Sequence, residues 1–208
     1  MNKTLKSILK YLVEIIIVAF GVFLGVYYSN INADNKTKKE KEKSVNLIIK
    51  ELELNRQLLK DHISYHENIK IEMDSIVPTL SEKKMYSNFT EAEFKHIEIK
   101  GWTGFNFARL QKTAFETAKT SGLIKEFDIE LVQKLSDIYY FQDIYLDFGT
   151  SILNKAIGIN TSMKIADLIS TIRLMTSDLL GLEKQLSTKL EKAIAELKTQ
   201  HNKIKPTK

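Results

Sequence analysis

The sequence predicts an all-α protein, with an N-terminal transmembrane helix followed by an elongated antiparallel helical bundle of long, coiled-coil-like helices. Three observations predict it. The run YLVEIIIVAFGVFLGVYY fills residues 11–28 with Glu14 as its single charge. From Val45 onward, seam residues recur at alternating steps of three and four. Glycine (8) and proline (2) are scarce among 208 residues, which disfavours sandwiches, barrels and disordered chains. Such a length holds one domain plus an anchor. Basic residues (31) only modestly outnumber acidic ones (26), so no nucleic-acid partner is expected. With no cysteine, a disulfide framework, a thiolate metal site and a cysteine nucleophile are all excluded. The expected organisation is a tail and transmembrane anchor (1–32), a long heptad helix (33–80), a connector with a short helix (81–104), the remaining bundle helices (105–204) and a tail (205–208).

At about 1.5 Å per residue, a helix over 11–28 spans roughly 27 Å, close to the hydrocarbon thickness of about 30 Å. Ile8, Leu9 and Ile31 extend it, and Tyr11 and Tyr27–Tyr28 suit the two interfaces. Lys3, Lys6 and Lys10 resemble the n-region of a signal peptide. YYSNINAD, however, offers bulky residues where cleavage wants small ones, so the reading is an uncleaved signal anchor. Glu14 lies about one turn inside the boundary with Lys10 four residues before it, so pairing and snorkelling relieve most of its cost. The functional reading of Glu14 is a polar contact to another membrane helix, or an ion site. Gly21 and Gly25 form a G-x-x-x-G pair that lets helices approach closely. Gly21, Gly25 and Glu14 are thus the candidate membrane-helix packing residues. The expected partners are the lipid bilayer and a second copy or another membrane protein. Lysines flank both ends of the span in nearly balanced number and alone lean toward a cytoplasmic bundle. Because export of a short, purely cationic tail is unfavourable, the N-terminus is placed inside and the bundle outside.

The segment ADNKTKKEKEKS lacks proline and glycine, so membrane helix and following helix can be one rod. The seam then reads Val45, Ile48, Leu52, Asn55, Leu59, His62, His66, Ile69, Met73, Ile76 and Leu80. Pro78 predicts a helix end near Val77. A second stripe, Leu47, Leu54, Leu58 and Tyr65, widens the face and favours a multi-helix bundle over a two-stranded coil. Thr90 and Glu93 form a capping box for a short helix to about Ile97. KGWTGFN is a loop. A second helix is predicted from about Phe105 to Ser121, with Gly122 at C′. Asp128 caps a third, Ile129 to about Ala156, with Leu131, Leu135, Ile138, Tyr145 and Ile152 on one face. Gly158 and Asn160 break it. Thr161 or Ser162 starts a fourth helix to about Lys203, with Ile169, Ile172, Leu179, Leu182, Leu186, Leu190 and Leu197 inward.

His62 and His66 share a helical face at a spacing that can hold a metal, but no H-E-x-x-H arrangement accompanies them. The plainer reading is a polar break in the seam, like Asn55, that fixes register. A further reading is a protonation switch near pH 6, where an unperturbed imidazole titrates. Trp102, the only tryptophan, sits in a loop and is a candidate contact residue. The aromatic residues of the middle third are expected in the core. Lysine-rich segments at 36–43 and 198–208 are read as solvated, the first lying against the membrane surface. With no glycine-rich phosphate loop, nucleophile elbow or paired-carboxylate motif, no catalysis and no cofactor are expected.

Two stretches, LVEIIIVAFGVFLGVYYSNINADNKTKKEKE and LQKTAFETAKTSGLIKEFDIELVQKLSDIYYFQDIY, together resemble a bacterial family of single-pass membrane proteins, a domain of unknown function. Its anchor pattern is E-I-x-x-V-x-x-G. Its soluble signature, T-A-(W/F)-E-T-A-K-x-(S/T)-G, falls on Thr113, Ala114, Phe115, Glu116, Thr117, Ala118, Lys119 and Gly122, with Phe115 where Trp is commoner. The resemblance covers about a third of the chain. It implies a bacterial inner-membrane location and a topology, and carries no activity. Glu116 and Lys119, three apart on one helix, are positioned to pair. Close packing at Ala114 and Ala118 makes a structural junction the economical reading of the signature. The leading expectation is therefore an assembly or partner-binding module. Its rivals are a sensor or signal-relay module with a ligand between bundle helices, and a membrane-bound hydrolase using Glu116 and a histidine.

Overall fold

The computed structural model describes residues 3–89, 94–160 and 162–204. Among these the chain is all-α and contains no strand, only an isolated bridge between Asn88 and Lys164. Six α-helices follow in order, α1 (Lys3–Ile76), α2 (Glu82–Met85), α3 (Thr113–Thr120), α4 (Ile129–Ile157), α5 (Ile165–Arg173) and α6 (Leu180–Ile204). A π-helical segment, Leu174–Leu179, lies between α5 and α6. The chain divides into two compact units, residues 1–44 and 45–208.

In the first unit, α1 presents apolar side chains around its whole circumference. From Tyr11 to Tyr28 the large ones are 46–68% exposed, and no described residue of the unit covers them. Lys10 Nζ lies 3.9 Å from Glu14 Oε1, and the Phe23 and Tyr27 rings stack one turn apart. A helix apolar all round has no stable place in water and belongs in a core or in lipid.

The second unit builds its core from three stripes. α1 gives Val45, Ile48, Leu52, Leu59, Ile69 and Met73, and α4 gives Leu131, Leu135, Ile138, Tyr145 and Ile152. The segment from α5 through α6 gives Ile165, Leu168, Ile172, Leu179, Leu186, Leu190, Ile194 and Leu197. α4 packs on α6, α5 and the π segment. The π turn inserts a residue into the ladder and brings both Met175 and Thr176 to the core side.

Helix ends follow local chemistry. α1 stops at Ile76, and Pro78 falls in a 3-10 turn, Val77–Thr79. The Asp128 carboxylate accepts from the Glu130 N–H and caps α4. Gly122 takes φ +75° after α3, and its N–H closes on the Lys119 carbonyl. Ser81 caps the one-turn α2 by accepting from the Lys84 N–H.

The structure departs from expectation at three places. The helix expected from Phe105 begins only at Thr113, and residues 105–112 run without helical structure. The helix expected from Thr161 or Ser162 begins at Ile165, because Asn160 Oδ1 takes the Ser162 N–H and Met163 and Ile165 bond to Phe89 and Ser87. Residues 96–98 form a 3-10 turn, while the expected box of Thr90 and Glu93, like Thr161, lies outside the described residues.

Candidate functional site: a buried polar seam

Residues 103–114 need backbone partners that neither helix nor sheet supplies, and buried side chains of α1 and α4 provide them. Glu51 Oε2 accepts from the Ala114 N–H at 2.7 Å, one of the first-turn amides of α3 that lack a partner within the helix. Asn55 Oδ1 accepts from the Gln111 N–H at 2.8 Å, while its Nδ2 donates to the Gln111 carbonyl at 2.7 Å. The primary amide thus pairs with both backbone groups of one residue, as a neighbouring antiparallel strand would. Gln142 Nε2 donates to the same carbonyl, and its Oε1 accepts from Asn55. The Ala108 N–H donates to Tyr145 Oη, and His66 Nε2 donates to the Asn106 carbonyl. Tyr65 Oη donates to the Gly104 carbonyl and accepts from the Thr103 N–H.

Two acids anchor this seam. Tyr139 Oη donates to Glu51 Oε1 at 2.6 Å, and Tyr145 Oη donates to Glu183 Oε1 at 3.0 Å. His66 Nδ1 meets Glu183 Oε2 at 2.8 Å, and both side chains are fully buried. The Asn106 carbonyl only accepts, so His66 Nε2 carries a hydrogen. One further proton must then lie between Nδ1 and Glu183. Burial, and then the facing carboxylate of Glu51 or Glu183, hold the Tyr139 and Tyr145 hydroxyls well above the ordinary phenol range.

Apolar groups seat the same segment. Phe107, Ala108 and Leu110 are buried, and the Phe107 ring lies where a Cβ on Gly149 would stand, 2.6 Å from the nearest ring atom. Phe115 stacks on Tyr139 with centroids 4.3 Å apart.

The residues singled out from sequence therefore separate. Asn55 and His66 lie together in the buried seam. His62 turns back to donate to the Leu58 carbonyl of its own helix. Trp102 is half-buried, edge-on to Phe105 at 5.0 Å and His96 at 5.5 Å. The His96 Nδ1 and Asn106 Oδ1 are buried without a partner among the described residues, and burial lowers the His96 pKa. Glu116 pairs with Lys119 at 3.1 Å on the outer face of α3. Glu14, Gly21 and Gly25 lie in the first unit, and a Cβ on either glycine would meet nothing.

Glu51, Tyr139, Gln142 and Glu183 are the seam members that sequence reasoning missed. Gln142 stands four after Ile138 and three before Tyr145, and Glu183 stands four after Leu179 and three before Leu186. Both therefore occupy seam positions legible in the spacing. Glu51 lies beside the α1 seam and carries no such signal.

As chemistry, the seam is an internal scaffold. Its donors and acceptors are consumed by the chain's own backbone and by one another, and both side chains of the His66–Glu183 pair are fully buried. No family model, curated protein or solved structure matches the chain.

Proposed function

We propose that the chain is a single-pass membrane protein whose residues 11–28 cross the bilayer and present a helical bundle for assembly or partner binding, without catalysis. The observation that carries this reading is the uncovered apolar circumference of residues 11–28, an 18-residue window of which has mean hydropathy 2.1 with none of it buried. In the second unit, by contrast, the buried side chains of Glu51, Asn55, His66 and Gln142 bond the chain's own 103–114 segment. The resemblance to bacterial single-pass membrane proteins fits the same topology and a bacterial inner-membrane location.

The bundle is read as elongated and antiparallel in the sense that residues 165–204 run against both other long helices. Support comes from pairs whose numbers rise in α1 as they fall in α6, namely Glu53–Lys198, Arg56–Glu191 and Glu67–Lys184. Lys134–Glu196, Phe141–Lys189 and Tyr145–Glu183 do the same between α4 and α6. Glu51–Tyr139 and Asn55–Gln142 rise together, so α1 and α4 run alike. The bilayer is one partner. Gly21 and Gly25, with Glu14 on the same face, supply a surface for a second copy or another membrane helix.

Washing membranes that contain the full-length chain with alkaline carbonate tests the anchor. The chain is expected to stay with the lipid until detergent is added, and release by carbonate alone would refute the span.

A further inference from the structure

We propose that Lys36, Lys38 and Lys39 bind the phosphates of anionic phospholipid headgroups at the mouth of the span. The proposal rests on residues 11–28 lying in the bilayer and names the lipid class that this anchor selects. In the first unit α1 remains helical past Tyr28, so the height of each lysine above the hydrocarbon edge is fixed by helical rise. With Tyr27 and Tyr28 at the interface, the Lys36 to Lys39 Cα atoms stand about 12 to 17 Å beyond it, and Lys41 and Lys43 about 20 to 22 Å. Helical side chains lean toward the N-terminus, which here is toward the lipid, and a lysine stem reaches back about 6 Å. The ammoniums of Lys36, Lys38 and Lys39 then fall at or just above a headgroup layer about 5–8 Å deep. Those of Lys41 and Lys43 stand higher, about a Debye length away in physiological salt.

Charge supports the assignment. Residues 36–43 carry five lysines against Glu40 and Glu42, with Asp34 one turn nearer the lipid. Lys36 approaches Glu40 only at 4.0 Å, with both side chains exposed. Lys38, Lys39, Lys41 and Lys43 form no ion pair with another described residue. The lysines circle the helix, which suits a ring of lipids better than one docked protein face.

The test places the full-length chain in vesicles that mix phosphatidylcholine with phosphatidylglycerol. Electron paramagnetic resonance of spin-labelled lipids then reads which headgroup occupies the protein's first shell. The wild type is expected to prefer phosphatidylglycerol about threefold or more. The triple variant Lys36→Gln, Lys38→Gln, Lys39→Gln is expected to lose the larger share of that preference, with Lys3, Lys6 and Lys10 at the other mouth holding the remainder, and the double variant Lys41→Gln, Lys43→Gln to keep most of it. No wild-type preference, or equal losses in the two variants, overturns the proposal. Each preparation is first washed with carbonate. A chain that stays with the vesicles but shows no preference refutes the lipid assignment alone, whereas a chain that washes off refutes the span and this assignment with it.

Discussion

At Gly149 the absence of a side chain is what seats Phe107. Gly149→Ala gains about 1 kcal/mol of helix propensity but drives a methyl into a buried ring, so a net loss of about 1–2 kcal/mol in urea unfolding is expected. Shrinking the ring with Phe107→Leu should recover part of that loss, and a Gly149→Ala protein as stable as wild type would show the ring to be elsewhere. Glu183 is a second single-residue test. Glu183→Leu strips the partner from His66 Nδ1 and Tyr145 Oη together, and a loss of about 3–5 kcal/mol is expected by chemical denaturation. The tyrosines set an alkaline limit. Tyr139 and Tyr145 keep their protons in the fold to higher pH than in the unfolded chain, so below about pH 10 both states are protonated and nothing is lost. Above it the unfolded chain ionises first, and stability falls by about 1.4 kcal/mol per pH unit for each tyrosine. The slope measured by urea titration should become shallower by up to about 1.4 kcal/mol per pH unit in Tyr139→Phe, with Lys112 and Lys134, whose acidic partners raise their pKa values, supplying part of what remains; an unchanged slope would remove Tyr139 from the account. Sequence made part of this legible. Asn55 and His66 stand on a three-four seam, as do Gln142 and Glu183. Spacing gives the position of a polar residue, whereas its burial depends on a partner some 30 to over 100 residues away, and no local pattern encodes that.

At the scale of elements, the 105–112 segment is where local preference loses to tertiary demand. FNFARLQK contains nothing that forbids helix, which is why a helix is the natural expectation there. The proposed bundle has α1 and α4 running alike, so the chain must return along α1 before α4 begins. An extended residue covers about 3.3 Å and a helical one about 1.5 Å, so extension makes the return in few residues. Its backbone groups are then met by Asn55, His66 and Tyr145 in place of a ladder. Pro78, Gly122 and Asp128 were legible because each acts within a turn of itself. The connector was not, because its partners are long-range. Amide exchange follows from this arrangement. The Ala108, Gln111 and Ala114 amides, outside helical ladders yet bonded to buried side chains, should exchange as slowly as core helical amides. In Asn55→Leu the Gln111 amide should lose protection selectively, with a stability loss of about 1–3 kcal/mol for the unpaired peptide group. Fast exchange at Gln111 in the wild type would mean that the segment is not held by Asn55.

For the whole molecule the proposed span makes a prediction about sidedness, and the composition provides a direct probe. The chain has no cysteine, so a single introduced thiol is the only site for a maleimide. Trp102 is a poor place for it because its ring packs against Phe105 and His96. Ile157 is better, being 81% exposed in the last turn of α4, where Ile157→Cys disturbs no core contact. N-terminal to the proposed span stand Lys3, Lys6 and Lys10 with no acid between Met1 and Glu14, whereas the lysines beyond it alternate with Glu40 and Glu42. If the purely cationic flank stays inside, the proposed topology places the bundle outside, so Ile157→Cys in intact bacterial cells should react with a membrane-impermeant maleimide. A cysteine placed at Asn2 should react only after the cells are lysed. The opposite pattern would mean that the raw lysine count beyond Tyr28 governs insertion. It would also put Lys36, Lys38 and Lys39 on the cytoplasmic leaflet without changing their height above the lipid.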